Sequence, residues 1–196
     1  MRPCFLPLFC FFFFQLAGQP LEDPSAVKPY RLVIQTGISL QWFDKQFKTF
    51  SVSAERPLNL YNHIGVQADF FFPQTPFEYR SITGDSYEIG VFAKSFFHGR
   101  LTGRRSKTYI GPDIRFGKRI YNVPSFFGNE PSYERAATFK LMLRVGWQYH
   151  LGNAVIEVAL PFGNEKENIG GNFSFSGEGE NNWFVATPAI YIGYGF

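Results

Sequence analysis

The chain has 196 residues and a formal net charge of +3, so it is long enough for one domain with a core and its charge does not indicate nucleic-acid binding. Aromatic residues make up 19% of it, yet no uninterrupted apolar run of about 18 residues follows position 20, which excludes a membrane-spanning helix there. Cys4 and Cys10 both precede position 20, so the remainder has no disulfide, no thiolate zinc site and no thiol nucleophile.

The first predicted segment is a signal peptide over residues 1–19. Arg2 precedes an apolar stretch from about position 4 to 14, and the small residues Ala17 and Gly18 follow it. This order is typical of a secretory signal, and the stretch is too short to cross a bilayer. We therefore expect residues 1–19 to be removed and residues 20–196 to form a single domain.

Residues 20–196 alternate apolar and polar side chains with a period of two, which is the pattern of β-strands. Pro112 and Pro188 lack a backbone donor, so we expect a bulge or a missing ladder bond at each. Short turns such as 150–153 alternate with long connections such as 163–182, as in transmembrane barrels with short periplasmic turns and long outer loops. The eight predicted strands span residues 30–42, 47–56, 63–72, 86–97, 107–116, 137–149, 154–162 and 183–196.

The two faces of these strands differ in chemistry. One face is rich in large aromatic residues, among them Trp42, Phe70, Trp147 and Phe196. A charge facing lipid costs roughly 2–4 kcal/mol at the bilayer midplane, whereas charges in a narrow lumen can pair. We therefore predict an all-β fold, a single eight-stranded antiparallel up-and-down transmembrane barrel whose inward charges form a lumen network. The mid-strand charges of the other face are Asp69, Glu88, Lys94, Asp113, Arg115, Lys140, Arg144 and Glu157.

Within this network we expect ion pairs to plug the lumen rather than to leave a conducting pore. Buried charges in proteins are normally paired, and the interior of an eight-stranded barrel is filled by side chains. Arg115 and Arg144 are predicted to pair with acids on neighbouring strands, and Asp113, Glu157 and Glu88 are the candidates.

The chain ends in "IYIGYGF", where Ile192, Tyr194 and Phe196 share one apolar face. Together with the signal peptide, the eight alternating segments and the long loops, this strand resembles the small outer-membrane β-barrel proteins of Gram-negative bacteria, the outer-membrane protein A and X type. The resemblance covers residues 20–196 and implies a bacterial outer-membrane location in contact with lipid. It also implies that the barrel-assembly machinery reads these three side chains as an insertion signal. Tyr191 departs from the pattern, since the commonest form of that signal has Gly there.

We predict no catalytic residues. A barrel enzyme acting on outer-leaflet lipid needs a nucleophile, a base and an orienting acid within hydrogen-bond reach. The candidate pair Ser95 and His98, like His63 and His150, falls at the short-turn end of the predicted barrel, away from the outer leaflet. The acids of the last long connection lack calcium-ligand spacing, and no zinc, phosphate-loop or dinucleotide motif is present, so we expect no metal, cofactor or nucleic-acid partner.

The predicted role is structural or interactive, with outer loops presented to the surroundings. The run "GRLTGRRSK" at 99–107 is interpreted as a solvated turn, with contact to anionic head groups or a periplasmic partner as its alternative. Two other functions stay open at this point. One is a secreted soluble barrel that binds a small apolar ligand, and the other is an outer-leaflet lipid-modifying enzyme.

Overall fold

Regular structure in the computed structural model consists of β-strands. The model describes residues 31–41, 47–59, 61–73, 81–97, 106–123, 132–169 and 180–196, so the predicted signal peptide lies outside the described residues. Within these ranges the chain contains no helix with the length and apolarity needed to cross a membrane. The strands are β1 Val33–Gln41, β2 Phe47–Pro57, β3 Asn62–Phe71, β4 Ser81–Ile82, β5 Tyr87–Phe97, β6 Ser106–Val123, β7 Ser132–Leu151, β8 Ala154–Ile169, β9 Glu180–Ala186 and β10 Ala189–Gly195.

These strands form one closed antiparallel barrel. The sheet order is β10-β1-β2-β3-β5-β6-β7-β8-β9, and β10 pairs with β8 as well as with β1. β9 and β10 are two halves of one strand, because Ala186 lies opposite Phe162 and Ala189 lies opposite Ala159 in a single continuous register. β4 is a short addition that pairs with the end of β6. With β9 and β10 counted as one strand and β4 left out, the barrel wall has eight strands, and the predicted architecture is confirmed.

Both prolines interrupt a ladder, as predicted. Pro188 and Thr187 separate β9 from β10. In the β5–β6 ladder Phe92 pairs with Asp113 and Ser95 pairs with Ile110. The two positions between them, which include Pro112 on β6, are not paired. The register on either side of this gap is unchanged, so the missing donor removes bonds without inserting a bulge.

The predicted extents of three strands were too short. β6, β7 and β8 contain 18, 20 and 16 residues, whereas β1, β2 and β3 contain 9, 11 and 10. Beyond positions 116 and 162 polar residues also face outward, so the apolar alternation no longer marks a strand. The strands nevertheless remain paired there. Residues 81–82, predicted to be part of a loop, form β4.

The two ends of the barrel differ. The chain turns from β7 into β8 at Gly152 and Asn153, and Gly152 has a φ of 61°, a value that favours glycine. We call this end the turn end and the opposite end the far end. The extended parts of β6, β7 and β8 lie at the far end.

The barrel is apolar outside and charged inside, as predicted. Outward side chains such as Ile38, Ile190 and Ile192 are 59–65% exposed, whereas Arg144 and Glu157 are fully buried. The aromatic residues Phe50, Phe70, Tyr87, Phe116, Trp147 and Phe196 are also exposed, while Trp42 lies outside the described residues. A soluble barrel that binds an apolar ligand needs the reverse arrangement, so this surface argues against that alternative.

A candidate functional site in the barrel lumen

The middle of the lumen is held by two arginines. Arg115 donates to Asp113 from Nε at 2.9 Å and from Nη2 at 2.7 Å, and from Nη1 to Asp69 at 2.7 Å. Asp113 lies on the same strand as Arg115, two residues away, and Asp69 reaches it from β3. Arg144 Nη1 donates to Gln67 at 2.9 Å, and its guanidinium lies 3.5 Å from Asp113. We call Asp69, Asp113, Arg115 and Arg144 the middle cluster.

A second group, the turn-end cluster, surrounds Glu157 nearer the turn end. Lys94 Nζ donates to Glu157 at 2.6 Å and also to Glu55. The hydroxyl of Tyr109 donates to the other oxygen of Glu157 at 2.5 Å. Arg144 Nη2 lies 3.3 Å from this same carboxylate, so Glu157 joins the turn-end cluster to the middle cluster.

A third group, the far-end cluster, links β5, β6, β7 and β8. Glu88 accepts from Arg119 and from Lys140, each at 2.7 Å. Glu165 accepts from Arg119 Nη2 at 3.0 Å and lies 3.4 Å from Lys140. Two cations and two carboxylates thus alternate around a square. Closer to the far end, the Tyr121 hydroxyl donates to a further carboxylate, that of Glu167.

Aromatic rings fill the space between these charges, and glycines make room for them. Phe92 extends into the lumen over Gly65, where an added Cβ would meet its ring at 2.3 Å. Tyr191 lies over Gly37 in the same way, with a contact of 2.4 Å to a Cβ there. The Arg144 guanidinium carbon is 4.4 Å from the centroid of Phe92 and 5.2 Å from that of Tyr191. The buried guanidinium of Arg144 is therefore stabilised by the faces of aromatic rings as well as by carboxylates.

An apolar layer closes the far end of the lumen. Phe71, Ile82, Tyr121 and Ala136 form a buried cluster, and β4 supplies Ile82 to it. The segment is fixed by its pairing with β6, and directly after it Thr83 N donates to the Ile120 carbonyl at 2.8 Å. β4, in the connection between β3 and β5, therefore supplies a side chain to the lumen.

All eight charged residues that the sequence places on the inward face lie in these three clusters. One predicted pairing was wrong, because Glu88 forms its direct ion pairs with Arg119 and Lys140 and not with Arg115 or Arg144. The sequence reading missed Glu55, Arg119, Glu165 and Glu167. The last three lie beyond the predicted strand ends, and the continued alternation of charge at every second position was the signal that could have found them.

The predicted histidine positions agree with the structure where it describes them. His63 contacts Glu55 and stacks edge-on against Phe96, and His150 lies 3.3 Å from Gln148, both near the turn end. Ser95 donates to Asn62 at 3.0 Å, while His98 and most of the basic run lie outside the described residues. Within the described part of the chain, no group of three His, Cys, Asp or Glu side chains could hold a metal ion.

No family model matches the chain, and no curated protein matches it. Among solved structures, the neisserial surface protein A matches with a TM-score of 0.57 over 84% of this chain and 96% of that one, at 11% identity. The chain has the fold of the small outer-membrane β-barrels. An identity this low establishes the shared fold and leaves the function open.

Other outer-membrane barrels also match with lower scores. The attachment invasion locus protein of Yersinia pestis, in complex with a heparin analogue, gives a TM-score of 0.48 at 16% identity, covering 84% of this chain and 96% of that one. The N-terminal barrel domain of Pseudomonas aeruginosa OprF gives 0.45 at 10% identity, covering 85% and 100%. In this barrel the lumen contains the buried ion pairs that the structure describes.

Proposed function

We propose that the protein is an integral outer-membrane barrel of a Gram-negative bacterium, with a structural or surface-interaction role and a lumen closed by ion pairs. The pairing of the lumen cations carries this proposal. Lys94, Arg115, Arg119, Lys140 and Arg144 are each at most 2% exposed, and each lies within ion-pair distance of two carboxylates. Side chains held in this way act as a scaffold inside the wall, because removing either partner leaves an uncompensated buried charge.

The proposal assigns no catalysis to the barrel. Hydrolysis of an outer-leaflet lipid requires a base at the far end, and the two described histidines lie near the turn end. The described acids of the strands face inward, and seven of them are buried in the lumen: Glu55, Asp69, Glu88, Asp113, Glu157, Glu165 and Glu167. Interactions at the cell surface therefore fall to the far end, where the connections between strands carry specificity.

The first test is fractionation of the expressed full chain, with gel mobility compared before and after boiling. We expect recovery in the outer membrane and a heat-modifiable band, because a closed barrel resists unfolding by detergent until it is heated. The same purified barrel should give no sustained channel in a planar bilayer, since its lumen is filled. Recovery in the soluble periplasmic fraction would contradict the membrane location, and a sustained open channel would contradict the closed lumen.

We further propose that the assembly machinery recognises the outward face of β10. Ile192, Tyr194 and Phe196 are 65%, 49% and 63% exposed, and the last two rings pack edge-on with centroids 5.0 Å apart. We expect Phe196→Ala to reduce the heat-modifiable barrel in cells several-fold while leaving refolding into detergent unchanged. Ile38→Ala, on the neighbouring outward face of β1, is the matched control. Equal losses for the two variants, or a loss in detergent as well, would indicate a stability effect instead.

A further inference from the structure

The outward face of the described strands carries charges of one sign. The described carboxylate side chains of the strands lie at inward positions. The outward charges are basic, and they are concentrated at the far end, with Arg56 as the one near the turn end. Those at the far end are Lys48, Lys118, Arg135 and Lys166.

Two of these cations are close neighbours. Lys118 lies opposite Ala137 in the β6–β7 ladder, and Arg135 lies opposite Ile120. Lys118 and Arg135 are therefore diagonal neighbours on one face, roughly 7–8 Å apart at their Cα atoms. Neither has an ion pair or a side-chain hydrogen bond within the described part of the chain. Ala137, whose side chain is small, lies opposite Lys118 and is the next outward residue after Arg135 on β7.

From Ala137 towards the turn end, the outward surface is first aromatic and then aliphatic. Phe116 and Phe139 lie opposite each other one outward position closer to the turn end, with ring centroids 4.9 Å apart. Ile114 and Leu141 lie opposite each other at the next outward position. The outward face thus passes from cations to aromatic rings to aliphatic side chains. Head groups, interface and acyl chains follow the same order from the surface of a bilayer to its interior.

We propose that this face binds a phosphorylated lipid of the outer leaflet, with its phosphate over Ala137 between Lys118 and Arg135. Its acyl chains would run along Phe116 and Phe139. The inference rests on the proposed function, which orients the far end outward. A phosphate accepts charge-assisted hydrogen bonds from both side chains, and Arg135 can bind two of its oxygens. Continuity with the apolar wall favours a lipid over free phosphate, because free phosphate would gain nothing from the rings below.

The test uses native mass spectrometry of the detergent-purified full barrel with diphosphorylated lipid A and with the same lipid after removal of both phosphates. We expect the wild-type barrel to retain more of the phosphorylated lipid than of the dephosphorylated lipid. The double variant Lys118→Gln with Arg135→Gln should weaken retention of the phosphorylated lipid by about 25-fold. Each cation near an anionic surface strengthens binding by about fivefold, and the variant removes two. Ala137→Phe should also weaken it, because a bulky ring beside Lys118 and Arg135 would hinder a phosphate from reaching both while keeping both charges.

Matched controls keep the inference separate from folding. Arg56→Gln removes an outward cation at the turn end, and Ala137→Ser keeps a small side chain between the two cations, so both variants should bind as the wild type does. Each variant must show the heat-modifiable band. A folded barrel that holds both lipids equally, or that loses binding equally with Arg56→Gln, would overturn the lipid site and leave the proposed function intact. Displacement by inorganic phosphate at millimolar concentration would overturn the assignment to a lipid. A chain recovered without a heat-modifiable band would instead overturn the proposed function.

Discussion

Replacing Arg115 with methionine should lower the free energy of unfolding by roughly 3–5 kcal/mol, the usual cost of removing one partner from a buried ion pair. Arg115 is 2% exposed and is the direct ion-pair partner of both Asp69 and Asp113. Asp69 would keep its hydrogen bonds from Ser51 and Gln67, at 2.5 Å and 2.7 Å, but would lose its cation. Urea titration of the barrel refolded into lipid vesicles, followed by tryptophan fluorescence, measures this change.

The matched experiment removes the charges together. Arg115→Met combined with Asp69→Asn and Asp113→Asn leaves no unpaired carboxylate at this point, so most of the lost stability should return. Arg56→Met makes the same substitution at an exposed outward position and should change the free energy of unfolding by no more than about 0.5 kcal/mol. Equal stability of Arg115→Met and Arg56→Met would show that the middle cluster is hydrated and weakly coupled. The lumen would then be unable to act as a rigid plug.

The middle and turn-end clusters act as one scaffold because Arg144 forms contacts in both of them. Arg144 lies 3.5 Å from Asp113 in the middle cluster and 3.3 Å from Glu157 in the turn-end cluster. Opposite charges are therefore linked from the middle of the lumen towards the turn end, and a shift of one of these side chains requires its neighbours to shift. In a narrow barrel this arrangement resists the opening of a water path more strongly than isolated pairs would.

The architecture was predictable because it depends on the alternation of side chains. In a strand, residues at every second position share a face, and lipid forces that face to be apolar. Asp69, Glu88, Asp113, Arg115, Lys140, Arg144 and Glu157 follow the opposite phase, so a closed barrel places all seven in the lumen. The aromatic residues of the other phase, such as Phe70, Phe116 and Trp147, were likewise assigned to the outside by their phase alone.

The choice of partners was not predictable in the same way. Alternation states which side a residue faces, but the height of a residue inside the barrel depends on the register of every strand between it and its partner. Glu88 lies opposite Gly117, and this places it near Arg119 and Lys140 rather than beside Arg115. The length of β6, β7 and β8 was missed for a related reason. Beyond the lipid, outward residues need not be apolar, so Lys118 and Lys166 look like the start of loops.

Replacing Val91 with arginine should destabilise the barrel by roughly 2–4 kcal/mol, the cost of a lipid-facing cation at the bilayer midplane. Val91 is 51% exposed and lies in the middle of β5, opposite Val66 on one side and Ile114 on the other. No carboxylate faces outward among the described side chains of these strands, so the new charge would find no partner. Guanidinium titration of the barrel in phospholipid vesicles measures the loss.

The control is the same substitution on the same strand at a different depth. Phe97 is 56% exposed at the turn end of β5, so Phe97→Arg can reach the interface and should lose only about 0–1 kcal/mol for its charge, beyond what Phe97→Ala loses for the ring. Val91→Ala provides the matching correction in mid-strand. If the corrected loss of stability is larger for Val91→Arg than for Phe97→Arg, the middle of the outward face lies in hydrocarbon. Equal values would mean that the middle of the outer wall contacts water, which contradicts a barrel that spans a membrane.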